Sequence, residues 1–137
     1  MTTPDITGGS DRDESKEARA AAERLQKLLH KAFASAGPSG QKLKNVLNGT
    51  WLGNPLHVIL TDIPIGAWTT GLVCDAVHRV SGRDVFAGAA DTAAAIGIAG
   101  ALCAAVSGTT DWQDADAPAR RIGMTHGILN LSGTAFF

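Results

Sequence analysis

Four ionisable side chains lie inside or at the edges of long apolar runs, where an unpaired charge is costly. A charged side chain at the centre of a bilayer costs roughly 2.5–3.5 kcal/mol on insertion scales. Such groups therefore normally face the interior of a helical bundle and mark candidate functional sites. These four, which fall toward the same ends of their helices, are His57, Asp62, Asp111 and His126.

The two histidines offer the most specific chemistry of the set. His57 lies near the start of the first apolar run and His126 near the start of the third. Two neutral imidazoles on neighbouring helices can hold the iron of a b-type haem, and Asp62 or Asp111 would accept the second ring N–H. The glycines expected to leave room for the macrocycle are Gly66, Gly123 and Gly127.

Three other interpretations of the same residues stay open. The four side chains suit a divalent metal ion or a proton relay as well as they suit haem. They also suit a purely structural role, in which each histidine hydrogen-bonds a neighbouring helix and does no chemistry.

A second group of ionisable residues falls toward the opposite ends of the apolar runs. Asp75 precedes Arg79 by four residues, a spacing that favours an ion pair along one helix. Asp91 is expected to meet a hydroxyl group or His78 across a helix interface. We interpret this group as structural.

Several function classes find no support in the sequence. The motifs C-x-x-C, H-E-x-x-H and G-x-S-x-G and a phosphate-binding loop are all absent, so we expect no catalytic activity from this chain alone. Lys and Arg form no dense cluster with interleaved aromatic residues, which argues against nucleic acid as a partner. Cys74 and Cys103 lie in apolar runs, where small buried side chains are usual.

Charge divides the chain into a polar arm and an apolar body. Residues 1–49 hold eight Lys and Arg and six acidic residues, whereas residues 50–137 hold four Arg, no Lys and seven Asp. We expect disorder in 1–12, an amphipathic helix over 13–36 and a short helix over 41–47. This arm, 13–49, either lies on the membrane surface or packs on its own domain or on another subunit, and His30 on it is expected to be solvent-exposed.

The body contains three apolar runs that predict membrane-spanning helices over 55–80, 86–107 and 122–137. The first would be about 39 Å long and the third only about 24 Å, short of a ~30 Å hydrocarbon core. Because the third run continues to the last residue, we expect a truncated third span. Between the second and third runs, 109–121 is predicted as a polar loop. Small residues at every fourth position of the second run predict close helix packing: Ala93, Gly97 and Ala101 on one stripe, and Gly100, Ala104 and Gly108 on another.

These features predict an all-α integral membrane bundle, 50–137, preceded by the amphipathic arm. The basic residues near the spans set its orientation by the positive-inside rule, which places the N-terminus and the 109–121 loop in the cytoplasm. They are Lys42, Lys44, Arg120 and Arg121 on one side, and Arg79 and Arg83 on the other.

Three motifs occur in order in the body: D-x-P-I-G-x-W from Asp62, T-T-D-W from Thr109, and R-R-x-G-x-x-H-x-x-x-N from Arg120. With them, roughly 45–137 resembles an uncharacterised bacterial four-helix membrane domain that is often fused ahead of a Rieske iron–sulfur domain. The resemblance implies a fourth helix, absent here, a bacterial inner-membrane location and a redox neighbourhood. The family's H-P-L-H-P reads N-P-L-H-V here, so Asn54 replaces the first histidine.

Two functional hypotheses follow. In the first, the protein is a membrane anchor or scaffold for a Rieske-type redox partner, and its polar groups only hold helices together. In the second, the bundle itself carries electrons or protons through haem b or a metal ion bound by His57 and His126. The lipid bilayer is a partner in both, and a second copy of the chain is a further candidate.

Overall fold

The computed structural model describes residues 10–136, and within this range the chain is all-helical. Its five helices are α1 (Ser10–Ser35), α2 (Gly37–Leu47), α3 (Leu56–Ser81), α4 (Asp84–Trp112) and α5 (Ala117–Thr134). The all-α prediction is confirmed. Of the predicted disordered tail, residues 1–9 lie outside the described part, and residues 10–12 belong to α1.

Helices α1 and α2 form the arm and meet at a sharp turn. α1 ends at Ser35 and α2 begins at Gly37, whose φ of +56° is one that L side chains rarely adopt. Pro38 follows in the first turn of α2, where its missing N–H costs no hydrogen bond. The Gly-Pro pair therefore starts the second helix as well as ending the first, and α2 is four residues longer than predicted.

The inward face of α1 differs from the predicted apolar stripe. Ala22 and Gln26 are buried, whereas Leu25 and Leu28 remain 44% and 64% exposed. A polar residue, Gln26, thus lies at the centre of the packed face, and two leucines that the pattern assigned to packing point outward.

Helices α3 and α4 form an antiparallel hairpin that makes up most of the body. Gly82 ends α3 in a left-handed conformation, with φ of +66°, and its N–H donates to the His78 carbonyl at 2.8 Å. This arrangement is the usual glycine C-cap of a helix. Only Gly82 and Arg83 separate the two helices, so they run side by side along their length.

Small residues on α4 receive the larger side chains of α3. A Cβ atom on Gly97 would collide with the Trp68 indole, and one on Gly100 would lie 2.6 Å from Cγ2 of Ile63. The predicted close approach is confirmed, but the small residues form one face, with spacings of three or four residues. The buried members of that face are Ala90, Ala93, Gly97, Gly100, Ala104, Ser107 and Thr110.

Within residues 10–136, two helices are long and apolar enough to cross a membrane, α3 and α4. Only 11% and 28% of their most apolar stretches are buried inside the protein, whereas the core helix of a soluble protein would be mostly buried. The exposed apolar surface is therefore suited to lipid. α5 does not reach the same hydropathy, and the third span stays a prediction.

The polar loop predicted over 109–121 is wrong in extent. α4 continues to Trp112, and α5 begins at Ala117, so four residues connect them. The hydroxyl of Thr109 donates to the Ala105 carbonyl at 2.7 Å, which satisfies this polar side chain inside the helix. Asp116 then caps α5 by accepting a hydrogen bond from the N–H of Ala119 at 3.0 Å.

The arm is hydrogen-bonded to the end of α4. The amide nitrogen of Gln26 donates to the carbonyls of Trp112 at 3.0 Å and Ala115 at 3.2 Å. Nε2 of His30 donates to the Gln113 carbonyl at 2.9 Å. The Trp112 carbonyl, at the last residue of α4, also accepts from the N–H of Ala115 at 3.0 Å. The carbonyls of Gln113 and Ala115 belong to the turn that follows, so the arm supplies donors mainly to this turn.

Further polar contacts join the arm to the body on both sides of the turn between α4 and α5. Lys44 of α2 pairs with Asp114 at 2.7 Å. The buried hydroxyl of Ser107 donates to the Leu47 carbonyl at 2.6 Å. Arg120 of α5 donates to the side-chain oxygen of Gln26 at 2.8 Å. The arm therefore packs on its own protein through these contacts, and its position relative to the membrane surface stays a prediction.

Replacing Gly97 by alanine tests the hairpin packing. The added Cβ would meet the Trp68 indole, so we expect Gly97→Ala to lower the free energy of unfolding by about 1–3 kcal/mol. Gly88→Ala is the matched control on the same helix, because its Cβ would meet nothing within 4 Å. The measurement is thermal unfolding of the purified protein in detergent, and equal effects of the two substitutions would contradict the packing described.

Replacing Gln26 by leucine tests how the arm is held. The change removes two donors to main-chain carbonyls and the acceptor of Arg120, so we expect the opening free energy of α1 to fall by about 1–3 kcal/mol. Amide hydrogen exchange in detergent measures it. Gln41→Leu is the control, since the Gln41 amide bonds only Asn45 on its own helix. Unchanged exchange in α1 of the Gln26 variant would show that the arm is held by other contacts.

Candidate functional site

The structure brings His57 and His126 together. Their ring centroids are 6.1 Å apart and the ring planes are almost perpendicular, at 89°. His57 belongs to the first turn of α3 and His126 to the middle of α5. The two helices are distant in sequence, so this proximity depends on the short connection between α4 and α5.

α4 fixes the orientation of the His57 ring. Nδ1 lies 2.8 Å from the carbonyl oxygen of Ala104. Because a carbonyl only accepts hydrogen bonds, Nδ1 carries the hydrogen and Nε2 of the neutral ring keeps its lone pair. Gly108 provides the space, since a Cβ there would lie 2.7 Å from Nδ1. The ring is therefore presented in the tautomer that a metal ligand requires.

Of the two carboxylates expected to orient the histidines, one lies near His57. Asp111 interacts electrostatically with His57. Asp62 is exposed, and its carboxylate makes no hydrogen bond or ion pair with a residue in 16–136, where side chains are described. The backbone carbonyl of Ala104, and not a carboxylate, accepts the ring N–H.

His126 lies on an exposed face of α5 beside Asn130. The Asn130 amide donates to the main-chain carbonyl of His126 at 2.8 Å, and it lies 3.2 and 3.3 Å from the two ring nitrogens. The ring therefore has a polar neighbour one turn along its own helix, while its face toward α3 meets only His57 among the described aromatic rings.

The three glycines expected to leave room beside the histidines differ in their surroundings. A Cβ on Gly66 or Gly127 would meet nothing within 4 Å. Gly123, by contrast, lies against the Trp112 indole, whose N–H donates to the Arg120 carbonyl at 2.8 Å. Gly123 therefore accommodates Trp112, and only the other two positions leave open space.

No group of three or more His, Cys, Asp or Glu residues in the described part of the chain could hold a metal ion. A structural zinc site takes four protein ligands and a catalytic one takes three. The two imidazoles could therefore complete only a centre whose other ligands come from elsewhere, as the four nitrogens of a haem do.

At the opposite end of the hairpin, the predicted ion pair is wrong. In residues 10–136 neither Asp75 nor Arg79 takes part in an ion pair, and His78 bonds the Arg83 carbonyl at 3.1 Å instead of Asp91. Asp75 and Asp91 line a small cavity of about 90 Å³ between α3 and α4. Both carboxylates are exposed in the single chain.

Sequence reasoning missed two glutamines at the junction of arm and body. Gln26 makes the contacts described above, and Gln113, only 2% exposed, lies beneath the arm. No residue in the described range hydrogen-bonds the side-chain amide of Gln113. Gln26 could have been recognised, because it lies four residues after Ala22 and three before Leu29, on the inward stripe of α1.

Comparison with known proteins places the body in a family. No curated protein and no solved structure matches the chain. A family model described as "Predicted membrane protein (DUF2231)" matches residues 53–137, which is more than half of the chain. The match includes all of α3, α4 and α5 with both histidines, and it excludes α1 and α2. The chain therefore belongs to the DUF2231 family of predicted membrane proteins.

Proposed function

We propose that this protein is a membrane anchor whose arm forms a docking platform for a redox partner at the cytoplasmic surface of a bacterial inner membrane. The observation that carries the proposal is the bonding of α1 and α2 to the end of α4, a helix long and apolar enough to cross the membrane. The arm is thereby fixed relative to the bilayer, which is what a scaffold requires.

The outer surface of the arm is suited to a partner. It carries apolar side chains that nothing in the described chain covers, while its charged residues keep the rest of the surface polar. The largest of the apolar side chains are Leu25, Leu28, Leu43 and Val46, which are 44–64% exposed. An apolar patch with a polar rim is the usual composition of a protein interface.

The redox character of the partner is inferred from the resemblance to domains fused ahead of Rieske proteins. A Rieske centre is a two-iron cluster held by two Cys and two His. This chain has only Cys74 and Cys103, and neither belongs to a C-x-H or C-x-x-H pair, so the cluster would belong to the partner.

A photo-crosslinking amino acid at Leu28 tests the docking platform. In cells that express the full chain, we expect an adduct between position 28 and a protein that contains a two-iron cluster. Val80, 91% exposed at the far end of the hairpin, is the control position and should give no such adduct. Mass spectrometry of the adduct and its iron content are the readouts; an adduct with lipid alone, or none, would contradict the proposal.

A second candidate function is electron transfer through a haem b held by His57 and His126, and a specific observation favours it. Two imidazoles that share one metal ion, at roughly 2.0 Å per metal–nitrogen bond, have ring centroids about 6 Å apart. The observed separation is 6.1 Å. A haem bound there would supply one-electron chemistry, while α4 would hold the His57 ring in the ligating tautomer through the Ala104 carbonyl.

A visible spectrum of the protein reconstituted with haem tests this candidate. We expect a Soret band characteristic of two histidine ligands, lost in His57→Ala and in His126→Ala because each removes one ligand. His78→Ala is the control, since His78 bonds only the Arg83 carbonyl at the other end of α3.

The outcomes separate haem binding from a structural role. The electron-transfer candidate is ruled out if the wild-type protein takes up no haem and all three variants unfold at the wild-type temperature. The anchor function would then be the one that remains. Loss of the band in His78→Ala as well would show that the haem is not held by the two paired histidines.

A further inference from the structure

A groove with a volume of about 830 Å³ lies between α1 and α5. The wall from α1 includes Arg19 and Glu23, and the wall from α5 includes Arg121, Met124 and Ile128. Neither the paired histidines nor the exposed leucines of the arm line this groove, and the family match assigns it no role.

The groove carries two arginines whose charge is not balanced. Glu23 is paired with Arg120 at 3.7 Å. The guanidinium groups of Arg19 and Arg121 make no ion pair or hydrogen bond with a residue in 16–136, the range over which side chains are described. Among the described lining residues Glu23 is the one acid, against Arg19, Arg120 and Arg121, so this lining has an excess of two positive charges. This excess favours an anionic occupant.

Polarity changes along the groove. Arg121, Met124 and Ile128 are spaced by three and four residues, so they share one face of α5. The face starts with a guanidinium group near the α4–α5 turn and becomes apolar two turns further along. A small inorganic anion would occupy only the first part, whereas an anion that carries a hydrocarbon chain would contact the whole length.

The position of the groove relative to the bilayer agrees with that polarity. The lining begins at Ala117 and Pro118, directly after the four-residue turn that follows α4. α4 is a candidate span, so its end lies at headgroup level, where arginine meets lipid phosphate. The placement does not depend on which side of the membrane the turn faces.

We infer that the groove between α1 and α5 binds one anionic phospholipid, with its phosphate between Arg19 and Arg121 and an acyl chain along Met124 and Ile128. The bound lipid would join the arm to α5, two elements that the chain itself connects through the Gln26–Arg120 and Glu23–Arg120 contacts. This inference does not rest on the proposed partner or on haem.

Native mass spectrometry of the full chain in neutral detergent, with equal amounts of phosphatidylglycerol and phosphatidylcholine, tests the inference. We expect one phosphatidylglycerol to be retained in preference to phosphatidylcholine. The double variant Arg19→Gln/Arg121→Gln should bind phosphatidylglycerol roughly 30-fold more weakly, from about 1 kcal/mol per basic contact. Arg79→Gln, which removes a charge at the other end of the hairpin, should bind like wild type.

A second variant separates a lipid from a free anion. Ile128→Ser removes part of the apolar wall, so phosphatidylglycerol binding should weaken several-fold while all arginines remain. Inorganic phosphate added in millimolar excess should not displace the lipid. Circular dichroism of each variant shows whether it folds. Because the guanidinium groups of Arg19 and Arg121 have no partner among the described side chains, their loss should leave the fold intact.

Three results would overturn the inference. Equal retention of the two lipids by wild type would show that charge does not select the occupant. Equal weakening by Arg79→Gln would show that net charge acts, and not the groove. Displacement by inorganic phosphate, with no effect of Ile128→Ser, would show that the groove binds a free anion.

Discussion

The main-chain carbonyls at the end of α4 are the constraint on which the rest of the structure depends. A helix ends with carbonyl groups that no residue of the helix can satisfy, and burying them without donors is costly. Here Gln26 and His30 of the arm donate to the carbonyl of Trp112, the last residue of α4, and to the carbonyls of Gln113 and Ala115 in the turn that follows. These three hydrogen bonds hold the arm against the turn between α4 and α5.

The close packing of α3 against α4 orients one of the two paired histidines, His57. In a membrane, helices associate through packing and hydrogen bonds because lipid is as apolar as their side chains. Glycine at 97 and 108 lets Trp68 and His57 lie directly against the α4 backbone. The His57 ring then reaches the Ala104 carbonyl, and its free nitrogen is directed by packing instead of by a carboxylate. Glycines on one helix, α4, therefore accommodate both the hairpin packing, at Gly97, and the candidate site, at Gly108.

The arm and the body divide the proposed roles between them. The body contains the family match and the paired histidines, whereas the arm lies outside that match and carries the exposed leucines. The groove with Arg19 and Arg121 lies where arm and body meet.

The sequence alone determined the all-helical class and the small-residue packing of α4, because these depend on local composition and helical period. It predicted three spans, and the structure gives two helices, α3 and α4, that are long and apolar enough to cross a membrane. It also identified His57 and His126, since isolated polar residues in apolar runs stand out. It could not place Gln26 against Trp112, because that contact joins residues 86 positions apart. Nor could it exclude the Asp75–Arg79 pair or show that Ala104 orients His57, since partner choice is decided by which surfaces meet, and that depends on the tertiary structure.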